Sequence, residues 1–197
     1  MVGRRKGGDE AVGGEAPSPE LIASAKLYLE SLVSNGSIPQ GIRIDDSATK
    51  SLAAVAQYLV DTIMQDILAD NNGAAMEPDN MQKLVQKNDP WNRLFGAASM
   101  CYGTYPHGTL QKDDIDLGPY ISRKCDEARV TLTPEGLAML NYYMSKICRR
   151  TVVEAGKLAT FDMVLSHESI GTSISLTFPA GQLAKEASEA GANAATG

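Results

Sequence analysis

The sequence predicts an all-α protein built from two similar helical units that pack against each other. Two long segments, one from about Ser47 to Asp70 and one from Thr133 onwards, are each flanked by shorter helical segments. In both, apolar residues recur with the 3.6-residue period of a helix that buries one face. A helix of roughly 24 residues has an apolar stripe too long for two short neighbours to cover. We therefore expect the long helices to pack on each other, although periodicity alone leaves open two domains with independent cores.

The composition is that of a globular chain with an acidic balance. The 197 residues allow one large domain or two small ones, and 43% of them are apolar. Three Phe and one Trp suit helical packing built from aliphatic side chains. No stretch approaches the ~18 apolar residues of a membrane span, and residues 1–17 are polar and Gly-rich, unlike a signal peptide. We expect a protein that is not secreted and has no membrane partner.

Residue types that carry catalysis or bind metals are few and scattered. The three cysteines stand at wide, unpatterned spacing: Cys101, Cys125 and Cys148. This spacing argues against a disulfide framework and favours a reducing compartment. Two histidines are too few for a zinc site, and the acidic run at 113–116 lacks the glycine and the closing glutamate of a calcium loop. We expect no enzyme activity, no cofactor, no metal and no small-molecule substrate.

Capping residues and breakers mark the helices of the first half. Residues 1–17 are predicted to be a disordered tail, because Gly, Glu, Pro and Ser bury little apolar surface. The signals that follow are a Ser18-Pro19-Glu20 start, an Asn35-Gly36 stop, a loop containing Arg43, an Asn71-Asn72-Gly73 stop, a Glu77-Pro78 start and an Asp89-Pro90-Trp91 start closed by Gly96. They predict a short helix, the long helix, a short helix and one or two further turns.

The second half repeats this order after a segment without helical period. Residues 97–119, rich in Gly, Tyr, Pro and Asp, are predicted to be an extended linker, and Tyr120–Cys125 to form at most two helical turns. The later signals are a Thr133-Pro134-Glu135 start, a Ser166-His167-Glu168 start, a Pro179-Ala180-Gly181 break and a terminal helix from Gln182 to Ala190. A short–long–short order that occurs twice indicates one supersecondary unit repeated.

Five short motifs of the first half are similar to those of a known family. They are Leu52-Ala53-Ala54-Val55, Tyr58-Leu59, Asp70-Asn71, Met81-Gln82 and Asn92-Arg93-Leu94-Phe95-Gly96. With these motifs the first half resembles histone two-A over about residues 21–108. Gly103-Thr104-Tyr105-Pro106 resembles the extended docking segment that lies against histones three and four in that family. The resemblance implies a docking role for four residues: Tyr102, Gly103, Tyr105 and Pro106.

The second half resembles histone two-B over about residues 120–197. Met139-Leu140-Asn141 and Glu154-Ala155 fall in its central helix, and residues 179–191 are similar to its terminal-helix signature with one extra residue after the proline. Single-chain doublets of this kind resemble chromatin proteins of giant DNA viruses, although those place the two-B type first. The resemblance implies two histone folds packed as a pseudo-heterodimer: residues 18–96, a docking segment and linker at 97–119, and residues 120–197 with a terminal helix.

This resemblance implies an architectural role in a nucleosome-like particle. The expected partners are double-stranded DNA, bound through phosphates without sequence preference, and a histone pair or doublet of the three/four type, in a nucleus or a viral DNA compartment. The alternative is a histone-fold module that binds proteins and little DNA. The net charge of −6 favours this alternative, as do Ala75 at the second-loop arginine position and the cation-free loop at 162–165.

Seven cations are candidate DNA contacts, each weighed against a simple solvated surface. They are Arg43, where the two-A family carries its first-loop arginine, then Arg123, Lys124 and Arg129 before the second long helix, and Arg4, Arg5 and Lys6 in the tail. Arg149 and Arg150 lie within the second long helix and are interpreted as partners of carboxylates on other helices rather than as DNA contacts. Trp91 is interpreted as a core residue.

Overall fold

The computed structural model describes residues 16–68, 73–102 and 114–197, and this part of the chain is mostly helical. The helices are α1 (Pro19–Ser34), α2 (Asp46–Ile63), α3 (Pro78–Lys87), α4 (Asp89–Tyr102), α5 (Gly118–Ala128), α6 (Pro134–Leu158), α7 (His167–Thr177) and α8 (Gln182–Thr196). A π-helical turn, Met64–Leu68, extends α2, and two short strands are β1 (Arg43–Ile44) and β2 (Val164–Leu165). The all-α prediction is confirmed.

The predicted capping residues begin the helices as expected. The Ser18 hydroxyl accepts a hydrogen bond from the Leu21 amide, and the Thr133 hydroxyl accepts one from the Gly136 amide, at 3.3 and 3.1 Å. Ser166 caps α7 in the same way. Such caps satisfy backbone amides that the first turn of a helix leaves without a partner. The helix starts were therefore readable from the sequence.

A single apolar core joins the two halves of the chain. Its buried residues come from α1, α2 and α3 as well as from α5, α6, α7 and α8. Helix α8 lies along α2, so closely that a Cβ added at Gly191 would stand 2.5 Å from the Ser51 Oγ. Trp91 is buried in this core, as predicted. The two halves bury each other's apolar faces, in contrast to two domains with independent cores.

Several predicted boundaries were wrong. Helix α4 continues through Gly96 to Tyr102, because a glycine costs a helix only about 1 kcal/mol and Leu94 and Phe95 are buried beside it. Helix α5 already starts at Gly118 and has three turns, and α8 runs to Thr196. Residues 97–119 are therefore helical at both ends.

Residues 114–117, which lead into α5, are fixed to buried polar side chains of α6. The Ile115 amide donates to Ser145 Oγ at 3.0 Å, and the Leu117 amide donates to Asn141 Oδ1 at 2.8 Å. Asp114 Oδ1 lies 3.0 Å from the ammonium of Lys146, and both side chains are largely buried. Residues 114–117, at the end of the connection between the halves, are thus part of the buried core.

Candidate nucleic-acid interface at the paired loops

Two loops, one from each half, meet at the first paired site. Strand β1 pairs with β2 in parallel, Arg43 opposite Val164, and the Arg43 amide donates to the Met163 carbonyl at 2.9 Å. The His167 amide, in the first turn of α7, donates to Ser47 Oγ, in the first turn of α2, at 3.3 Å. The amino-terminal ends of α2 and α7 therefore lie side by side on the surface.

The second paired site has the same construction with the two halves exchanged. Met76, just before α3, forms a parallel bridge with Leu132, just before α6. The Met76 amide donates to the Thr131 carbonyl at 2.8 Å, and the Thr133 amide donates to the Met76 carbonyl at 3.2 Å. The amino-terminal ends of α3 and α6 are thereby brought together. In both sites, the loop before one unit's long helix pairs with the loop after the other's.

One candidate cation stands at each paired site. Arg43 is exposed on β1, and it forms no ion pair within the residues that the structure describes. Arg129 is exposed at the end of α5, in the left-handed backbone region at φ 55°. Carboxylates in these loops and helix starts outnumber the two arginines: Asp45, Asp46, Asp162 and Glu168 at the first site, and Glu77, Asp79 and Glu135 at the second. The local charge is therefore acidic.

The other two candidate DNA contacts that the structure describes form ion pairs with carboxylates of this chain. Arg123 lies 3.4 Å from Glu20 and stands over the Tyr120 ring, with its guanidinium carbon 5.1 Å from the ring centroid. The Lys124 side chain is only 22% exposed, and its ammonium lies 3.6 Å from Asp61 and 3.0 Å from Glu127. Both side chains tie α5 to neighbouring elements, so a phosphate would have to compete with these carboxylates.

The remaining predicted site residues lie largely outside the described part of the chain. The candidate tail contacts Arg4, Arg5 and Lys6 are outside it, and so are the docking residues Gly103, Tyr105 and Pro106. Tyr102 is the last residue of α4. The docking interpretation of this segment stays a prediction.

A groove between α2 and α8 was not anticipated from the sequence. It encloses about 720 Å³, and its walls include the carboxylates of Asp61, Asp66 and Glu186. The Tyr58 hydroxyl donates to Glu186 at 2.7 Å, and burial followed by this bond raises the Tyr58 pKa. Burial also raises the pKa of Asp61, although the Tyr120 hydroxyl and the Lys124 ammonium act in the opposite direction. Residues far apart in the sequence form this groove, so no local sequence pattern predicts it.

The loop after α6 exposes an apolar tip beside the first paired site. Phe161 is 99% exposed, and Met163 is 41% exposed with a positive φ of 59°. The Val164 amide donates to Asp162 Oδ1 at 3.2 Å, which fixes the turn between them.

The described residues show no metal-binding cluster, and two of the three cysteines are buried free thiols. No group of three His, Cys, Asp or Glu side chains in these ranges is placed to hold a metal ion. Cys125 and Cys148 are buried free thiols, and burial raises their pKa to about 11 and about 12. A thiol with a raised pKa is a poor nucleophile at neutral pH. No helix within these ranges is both long and apolar enough to cross a bilayer.

Comparison with known proteins gave no relatives: no family model, no curated protein and no solved structure matches this chain.

Proposed function

We propose that this chain is a fused histone pair with an architectural role in packaging double-stranded DNA. The observation that carries the proposal is the reciprocal pairing of the loops. The loop before each long helix pairs in parallel with the loop after the other, through Arg43 with Val164 and through Met76 with Leu132. Together with the short–long–short order of helices in each half, this exchange supports two histone folds of the two-A and two-B types.

DNA is the proposed ligand because each paired site presents two adjacent helix starts. The first backbone amides of a helix and its dipole attract phosphate without reading a sequence. One site offers α2 and α7 with Arg43, and the other offers α3 and α6 with Arg129. Binding through phosphates releases counterions, so it should be independent of sequence and should weaken steeply with salt.

The acidic loops imply that the isolated chain binds DNA weakly. Carboxylates at both paired sites repel phosphates and offset the two arginines. We therefore propose that the chain acts with a histone pair of the three/four type, which would supply cations and hold the DNA against these sites. The nucleus or a viral DNA compartment is the proposed location of such a particle.

The test is the salt stability of a particle reconstituted from this chain, a three/four-type histone pair and DNA. We expect Arg43→Ala to lower the salt concentration at which the particle releases DNA, and to reduce the slope of log K against log salt by about one. Arg93→Ala is the matched control, because Arg93 is an exposed cation that is paired with Asp89 and belongs to α4 rather than to either loop. If the Arg43→Ala particle resists salt as well as the parent does, Arg43 is not a DNA contact.

A second candidate function is a protein-binding module of the same fold. The observation that favours it is the excess of carboxylates at both paired sites. A gel-shift experiment with and without the three/four-type histone pair separates the two functions. A shift that requires the partner supports the architectural role, and the absence of any shift in either condition supports the module.

A further inference from the structure

The groove between α2 and α8 lies where the described chain begins. Ala16 and Pro17 form part of its lining, beside Ala54, Ala190 and the Tyr58 ring. Small side chains thus leave a channel between the two helices. The fifteen residues that precede Ala16 enter the fold at this channel.

The entry point is fixed by contacts to the groove wall. The Ser18 amide donates to the Oε1 of Gln57, a buried residue of α2 that also lines the groove, at 3.1 Å. Pro17 is buried, whereas Ala16 is exposed. Residues 1–15 are therefore tethered at the groove.

The lining is acidic, and residues 1–15 contain a compact basic cluster. Among the residues described, the lining includes three carboxylates and no Lys, Arg or His side chain. Asp61 accepts from Tyr120 and lies 3.6 Å from the Lys124 ammonium, and Glu186 accepts from Tyr58. The Asp66 side chain is exposed on the wall. The cations Arg4-Arg5-Lys6 stand together, separated from the acidic residues nearer the tether.

The tether is long enough and makes even a weak contact effective. From Gln57 to Asp66 the groove follows about 13 Å of helix, at ~1.5 Å per residue. Ala16 follows Arg4 by twelve positions, and this length of chain reaches at most about 40 Å when extended. A partner joined by a short linker has an effective concentration in the millimolar range, so a contact with a Kd of about 1 mM is already well populated.

We propose that residues 4–6 of this chain dock into the groove between α2 and α8, with their cations against Asp66 and Glu186. The contact is intramolecular and covers the groove with the chain's own basic segment. Any other basic ligand of the groove must first displace it, and the same cations are withheld from DNA while they are docked. The proposal does not depend on the function proposed above.

The single tryptophan provides a reporter in the full chain. Trp91 is buried and lines the region adjoining the groove, together with Asp66 and Glu186. A dansyl group can be attached to the α-amino group near neutral pH, because its pKa lies below that of lysine. We expect efficient energy transfer from Trp91 to dansyl in about 0.05 M salt, falling roughly twofold in about 0.5 M salt as the charges are screened.

Two variants test the docking, and a third controls for net charge. One variant changes Arg4, Arg5 and Lys6 to Ala, and the other changes Asp66 to Lys. At both salt concentrations, each should show the low energy transfer that the parent shows in about 0.5 M salt. Changing Lys26, Lys50 and Lys83 to Ala removes the same charge from positions that do not line the groove, and should behave as the parent. Equal transfer in the parent and the residue 4–6 variant at low salt would overturn the proposal. The measurement contains no DNA, so this failure would leave the proposed function standing.

Discussion

The substitution Gly136→Ala tests whether the two halves depend on each other. A Cβ added at Gly136, in the first turn of α6, would lie 2.4 Å from the Met76 carbonyl oxygen and 3.3 Å from Thr133 Oγ1. The closest group is backbone, so it cannot rotate away as a side-chain end could. The second paired site must open for the alanine to fit.

The expected cost follows from the groups that have to move. Relieving the overlap requires the Met76 carbonyl to shift by nearly 1 Å, which strains or breaks its hydrogen bonds from the Thr133 amide and hydroxyl, now 3.2 and 3.3 Å long. Overpacking costs about 1–3 kcal/mol and each lost hydrogen bond about 1 kcal/mol, offset by up to ~1 kcal/mol of helix propensity. We expect a net loss of about 2–3 kcal/mol.

The assay is equilibrium unfolding in urea, followed by circular dichroism and by Trp91 fluorescence. Gly96→Ala is the matched control: Gly96 lies within α4, and no atom stands within 4 Å of an added Cβ. This control should be neutral or more stable by up to ~1 kcal/mol. A Gly136→Ala variant as stable as the parent would refute the close contact. Two separate transitions, one for each half, would refute the shared core.

Three further changes have outcomes that the structure specifies. Because its pKa is raised, Asp61 takes up a proton more readily in the folded chain, so its ionised form costs stability once the pH exceeds that raised value. As the pH rises above about 4, Asp61→Asn should therefore have an increasingly higher free energy of unfolding in urea than the parent. A difference between the two that does not vary with pH would count against this reasoning. Asp114→Ala should cost about 3 kcal/mol by removing the buried partner of Lys146, and most of the loss should return when Lys146→Met is added. Cys125 and Cys148 should resist a thiol reagent at about pH 8 until the chain unfolds, as judged by mass mapping of modified peptides, and rapid modification in the native state would contradict their burial.

Local signals located the helices wherever the determining residues are neighbours in the chain. The starts at Ser18 and Thr133 depend on a hydroxyl three residues from the amide that it caps, a relation visible in the sequence. The end of α4 was misplaced because Gly96 is equally compatible with a stop and with a helix interior. Burial of Leu94 and Phe95 against the rest of the fold decided between them.

The structure of the connection before α5 could not be predicted from local sequence patterns. Ile115 and Leu117 are almost fully buried, but they follow no helical period, because backbone bonds to Ser145 and Asn141 hold them. Ser145 and Asn141 interrupt the apolar pattern of α6, and each could have been interpreted as a polar helix residue facing solvent. Their partners stand 30 and 24 residues away, so only the folded chain reveals the pairing.

The candidate site, too, could be predicted only in part from the sequence. Arg43 was selected because the resemblance places a first-loop arginine at its position, whereas its location next to α7 depends on a two-residue strand pair formed with Val164. A pair this short has no hydrophobic alternation to set its register, so packing of the long helices must set it. The second site obeys the same rule through Met76 and Leu132, with the halves exchanged. Both sites thus depend on one property of the sequence, namely that two long apolar stripes must be buried together. A change that separates α2 from α6 should therefore disrupt both paired sites at once.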